Sequence, residues 1–139
     1  MFQYGTFEKF PGLKFIVLES SAGWISAWLE RMDGKFESIG RFSKKMRRYP
    51  SELFKSNCWI SCDPDEKTVP AIIDLVGDDR FFWASDYPHS EAKPGVMDDL
   101  REMVALLKPE TKAKLLGQNV ADLYDIKGRR PLDQEPVDA

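Results

Sequence analysis

Three short apolar runs constrain this chain more than anything else in it. Lys-Phe-Ile-Val-Leu-Glu occupies 14–19, Asn-Cys-Trp-Ile-Ser-Cys occupies 57–62 and Phe-Phe-Trp-Ala-Ser-Asp occupies 81–86. The first and third are near-continuous rather than alternating, which suits strands buried on both faces of a parallel sheet. A turn signal introduces each run: Pro11-Gly12, the Pro50-Ser51 region and Gly77-Asp78-Asp79.

Helical stripes fill the gaps. Ile25, Trp28, Leu29 and Met32 predict a helix over 22–32, and Val69, Ile72, Ile73 and Val76 predict one over 65–76. Met97, Leu100, Val104 and Leu107 predict a third over 94–107, with Asp98, Asp99 and Glu102 on its wet face. Pro109 opens a short helix over 110–116, Gly117 stops it, and a last helix over 119–124 takes Asn119 or Gln118 as its cap. Residues 127–139 have no apolar period and read as a flexible tail. Alternating strands and helices mean βα units around a parallel sheet. Three strands alone leave sheet edges uncovered, the first sign that the chain is part of something larger.

Composition excludes several classes. With 139 residues, 42% hydrophobic residues and a net charge of -3, the chain reads as one globular domain with no positive field for nucleic acid or an anionic membrane. No apolar run approaches the roughly 20 residues that span a bilayer. Residues 1–9 have neither a basic n-region nor an apolar h-region, so the expected location is cytoplasmic. Lys44, Lys45, Arg47 and Arg48 form a compact basic run, read as a solvated loop and short helix or, more sharply, as an anion contact. Cys58 and Cys62, about 13 Å apart along one strand, are too distant for a disulfide and read as two buried thiols. With one histidine, His89, the chain cannot build a three-imidazole zinc site alone.

Parallel α/β folds bind ligands at the carboxyl ends of their strands. Those ends carry Glu19 followed by Ser-Ser-Ala-Gly-Trp24, then Cys62-Asp63, then Asp86-Tyr-Pro-His89. Two carboxylates and an imidazole at one end of a sheet suit a divalent metal that activates water or polarises a carbonyl. Structural readings stand beside this one. Glu19 could cap the helix beginning near Ala22, Asp86 could accept backbone N–H groups of its own turn, and 63–66 could be a turn and helix N-terminus. The four tryptophans, Trp24 among them, read as core.

Phe-Pro-Gly-Leu-Lys-Phe-Ile-Val-Leu-Glu-Ser-Ser-Ala-Gly-Trp-Ile over 10–25 and Phe-Trp-Ala-Ser-Asp-Tyr-Pro-His over 82–89 are joined by the closing Leu-Gly-Gln-Asn-Val-Ala-Asp-Leu-Tyr over 116–124. Together they resemble the amidohydrolase-related family, relatives of aminocarboxymuconate-semialdehyde decarboxylase. The resemblance implies an α/β fold, the C-terminal half of a (β/α)8 TIM barrel, over 1–126, with the three strands as the sixth to eighth. It implies a metal-dependent hydrolase or nonoxidative decarboxylase acting on a small carboxylated substrate, with a divalent metal, zinc, as cofactor. Asp86 then matches the aspartate that closes the eighth strand, binds metal and handles a proton. Glu19 stands where many members place a metal-binding histidine. His89 and Trp24 are the expected substrate contacts. The family's His-x-His and its fifth-strand ligand have no counterpart, so a truncated half-barrel inactive alone is expected, completed by a missing N-terminal half-barrel or by homo-oligomerisation. The rival expectation is a non-catalytic half-barrel module that self-associates through its open edges.

Overall fold

A computed structural model describes residues 1–40, 45–89 and 95–127. Three expectations fall partly outside them: Lys44 of the basic run, Pro94 at the head of the third predicted helix, and the tail from 128 onward. At the centre lie three parallel strands, β1 (Phe15–Val17), β2 (Cys58–Cys62) and β3 (Phe81–Trp83), in the order β1-β2-β3. Ile16 lies opposite Trp59, and Ser61 opposite Phe82.

Helix α1 (Thr6–Lys9) precedes the sheet, and α2 (Ile25–Ile39) and α3 (Pro50–Asn57) join β1 to β2. Helix α4 (Val69–Val76) joins β2 to β3. Helices α5 (Val96–Ala105), α6 (Pro109–Ala113) and α7 (Asn119–Leu123) follow, with a widened turn, Lys114–Gln118, between the last two. Among the described residues no helix is long and apolar enough to cross a membrane.

Both faces of the sheet are covered. Alternate residues of β2 part company: Cys58, Ile60 and Cys62 join the large core with Phe81, Leu53, Val69 and Leu100. Trp59 turns the other way, onto Phe82 and Leu123. This double burial is why the strands read as apolar runs. The run that looked least continuous is nonetheless the central strand, buried along its whole length, because cysteine and serine are small enough for its crowded positions. Edge strand β1 carries Phe15, 38% exposed.

Several local expectations are corrected. Helix α2 starts later than 22 and continues past Gly34 to Ile39; Ile25, Leu29 and Met32 face the core, and Phe36 in the added turns packs edge-to-face on Tyr49 at 4.9 Å. Pro50 opens α3 rather than a turn, as proline at a first helical position can. There the Glu52 carboxylate accepts the Tyr49 N–H at 3.1 Å and Asp33 accepts the Ser51 N–H at 3.0 Å. Neither Asn119 nor Gln118 caps α7 with its side chain. Asn119 is buried and donates its amide to the carbonyls of Asp78 and Phe81, both at 2.7 Å, which ties the C-terminal helices to the entry of β3. Trp59 is core as expected, whereas Trp24 and Trp28 are 38% and 42% exposed and stack edge-to-face, because α2 turns them to its outer side.

Candidate functional site at the strand carboxyl ends

β1 and β3 end at Val17 and Trp83, so Glu19 and Asp86 stand on the loops just beyond the strands rather than closing them. Those loops border a cleft of about 330 Å³, with buried Ser61 at the end of β2 and Glu19, Asp63, Asp86, His89 and Asp99 along its walls. The structure therefore brings Glu19, Asp86 and His89 to one cavity. Trp24 does not line it; its indole N–H donates to the carbonyls of Ser20 and Ser21, both at 3.0 Å.

The loop after β3 is tightly turned. Asp86 has φ 56, a left-handed conformation uncommon for an aspartate. Its carbonyl accepts the His89 N–H at 2.7 Å, and the Ser85 hydroxyl accepts the Tyr87 N–H at 3.3 Å. Among the described residues the Asp86 side chain takes no backbone N–H of its own turn. It lies instead 3.2 Å from His89 Nδ1, with 37% and 62% of the two side chains exposed. A carboxylate and an imidazole at that separation can exchange a proton or hold one between them.

The loop after β1 answers the capping question differently from either expectation. Glu19 is exposed and does not cap α2. Glu66, from the segment before α4, accepts the N–H groups of Ala22 at 2.8 Å and Gly23 at 3.0 Å, and also that of Asp63 at 2.9 Å. The Ser21 hydroxyl donates to Asp63 at 2.6 Å. Sequence reasoning missed Glu66 because two of its three partners, Ala22 and Gly23, lie more than forty residues away. It also set Asp99 on the wet face of α5, whereas Asp99 reaches the cleft; Asp98 and Glu102 are exposed as expected, and Asp98 pairs with Arg101 at 2.6 Å.

The cleft is strongly acidic. Glu19, Asp63, Asp65, Asp86 and Asp99 line it, and among the described residues His89 is the one lining residue that can become a cation. Cys62 is buried at the end of β2, where burial first, and then the charges of Glu66 and Asp63, push its thiol far above the ordinary range. Among the described residues no three His, Cys, Asp or Glu side chains converge as a metal centre. A catalytic metal needs about three protein ligands. The donors present therefore do not fit a complete metal site.

A parallel sheet with interleaved helices is the architecture of a (β/α)8-barrel segment, and the acidic cleft lies at the strand carboxyl ends, the face at which such barrels bind ligands. The chain belongs to the amidohydrolase family, whose family model matches residues 1–126. Solved structures agree. An amidohydrolase from Mycobacterium avium subsp. paratuberculosis K-10 superposes with a TM-score of 0.75 at 20% identity, over 88% of this chain and 31% of that one. The 5-carboxyvanillate decarboxylase from Sphingomonas paucimobilis superposes with a TM-score of 0.73 at 26% identity, over 90% of this chain and 37% of that one. A dihydroxybenzoic acid decarboxylase from Polaromonas sp. JS666, with bound manganese and the inhibitor 2-nitroresorcinol, gives a TM-score of 0.69 at 20% identity, over 92% and 38%. This chain thus spans about a third of these relatives' lengths. No curated protein matches it.

Proposed function

We propose that this chain carries the acidic, C-terminal part of the active site of an amidohydrolase-type enzyme that decarboxylates a small carboxylated substrate without an oxidant. The observation that carries the reading is the meeting of Glu19, Asp86 and His89 on one cleft beyond the carboxyl ends of three parallel strands. The 26% identity to a 5-carboxyvanillate decarboxylase favours decarboxylation over hydrolysis.

The residue roles follow from chemistry. Loss of carbon dioxide leaves an electron pair on carbon that must take a proton, and Asp86, on the cleft wall, is the group that delivers one in this reading. His89 is the only potential cation among the described cleft residues, so it is the group that attracts the substrate carboxylate, with its ring 3.2 Å from Asp86. Glu19 holds a water or contributes one ligand. Trp24 acts at a distance, by fixing the carbonyls of its own loop. A divalent ion, zinc by the family pattern or manganese as in the related dihydroxybenzoic acid decarboxylase, would need donors from barrel segments outside this chain.

The test is a graft. Residues 1–126 replace the matching segment of the Sphingomonas 5-carboxyvanillate decarboxylase, and carbon dioxide release from 5-carboxyvanillate is followed with zinc and with manganese. The expected result is turnover that Asp86→Asn lowers by about 10²-fold or more while the melting temperature holds. A second reading, a half-barrel that self-associates without catalysis, has the exposed Phe15 on edge strand β1 in its favour. It predicts a folded graft with no turnover.

A further inference from the structure

The loop after β1 is strained and unusually well held. Glu19 and Ser21 both have positive φ, 52 and 51, where side chains with a Cβ are disfavoured. Such conformations persist only where the surroundings over-determine them, and an observed outlier of this kind motivates a functional hypothesis. Here three side chains supply the restraint. The Trp24 indole holds the carbonyls of Ser20 and Ser21, and the Ser21 hydroxyl holds Asp63. The Glu66 carboxylate gathers the N–H groups of Ala22, Gly23 and Asp63.

Glu66 itself does not line the cleft, but its partner Asp63 does, and its other two partners, Ala22 and Gly23, stand on the loop that carries Glu19. Asp63 is a wall of the cavity, and Ala22 lies three residues beyond Glu19. One carboxylate therefore locks the loop of β1 to the loop of β2, and with them the relative heights of Glu19 and Asp63. A carboxylate suits this place because it accepts several N–H groups at once and offers no donor of its own. We infer that Glu66 is a positioning residue, which sets the strained 19–21 loop against the β2 loop and so fixes the spacing of the acidic cleft. The inference rests on the reading of that cleft as a decarboxylase site only for its catalytic consequence; the clamp stands on geometry.

The test has two arms, so that failure of the clamp and failure of the function are told apart. In the 139-residue chain, nitrogen-15 NMR compares the wild type with Glu66→Gln, which keeps the shape but puts an amide donor among N–H donors. Amide exchange at Ala22, Gly23 and Asp63 should quicken about tenfold or more, and shifts should spread to Glu19, Asp86 and His89. Thr111→Ala, which breaks the distant bond from Thr111 to Asp78, is the control for general destabilisation and should leave those resonances in place. Changes confined to the three amides, or equal displacement by Thr111→Ala, would overturn the inference. Ser21→Ala, which removes the hydroxyl bond to Asp63, carries the same comparison if Glu66→Gln does not fold.

In a graft that turns over, Glu66→Gln should lower kcat about tenfold with KM within about twofold, because loosened geometry costs rate more than binding. Thr111→Ala should leave kcat alone. A kcat unchanged by Glu66→Gln would contradict the positioning role. A graft inactive with Glu66 intact would count against the proposed function, and the NMR arm would still decide the clamp.

Discussion

Glu19 and Glu66 stand on neighbouring loops and do different work, and the backbone each can reach decides which. Glu66 finds three N–H groups, two of them on the turn that precedes α2, whose N-cap takes no side-chain bond. Glu19 is left facing the cleft. The sequence shows both residues at loop positions but cannot show which carboxylate takes which amide, because capping bonds to a distant loop leave no local spacing to read. The cysteines, in contrast, were legible. Both are buried and free, and burial pushes the Cys58 thiol up to about 12, with the Arg80 charge opposing. At pH 8 only about one Cys58 in 10⁴ is then a thiolate, against about one in four for an open thiol. A thiol reagent at pH 8 should therefore label neither cysteine of the native chain within minutes and both in denaturant. Rapid labelling of the native chain would contradict the packing described.

Among the elements, periodicity found the three strands and the intervening helices other than α3, and it failed where tertiary contacts outrank local signals. Pro50 reads as a turn signal and opens α3 instead, where Glu52 and Asp33 accept the N–H groups of Tyr49 and Ser51. Asn119 looked like a cap and is instead a buried tie to the entry of β3. That same junction holds an ion pair whose pH dependence can be worked out. Lys114 donates to Asp78 at 2.7 Å and Asp79 at 2.6 Å, and Thr111 donates to Asp78. Burial alone would raise the Asp78 carboxyl, but the bonds from Lys114 and Thr111 outweigh it and hold the group below the usual carboxylate range.

Hydrogen bonds to Asp78 and Asp79 raise Lys114 in turn. A carboxyl lowered in the folded state stabilises fully above its unfolded value of about 3.9, and that contribution is lost as pH falls through the folded value. The ammonium's contribution is fully present below about 10.4 and is lost as pH rises through its raised folded value. Lys114→Met should thus cost roughly 0.5–1 kcal/mol at pH 7, the discounted value for a partly exposed pair. The gap from wild type should close as pH falls from about 5 to about 2. Thermal melts across that range test it, and a gap that stays constant would mean the pair does not stabilise the fold.

At the scale of the whole molecule, the chain is a portion of a barrel, matched over 1–126 by its family and superposing on 31% to 38% of three solved relatives. The fold class was legible because double burial of a parallel sheet writes itself as apolar runs, and the cleft was legible because carboxylates followed those runs. The missing His-x-His already implied an incomplete donor set; what the sequence could not show is that Asp99 joins Glu19 and Asp86 on the cleft wall, since convergence in space is not a spacing along the chain. The account's central claim is that this cleft is one part of a site completed elsewhere. The most direct measurement is the metal content of the purified 139-residue chain after incubation with manganese or zinc and gel filtration, read by elemental mass spectrometry. The account predicts far less than one ion per chain, with no difference between wild type and Asp86→Ala. One ion per chain, removed by Asp86→Ala, would contradict it.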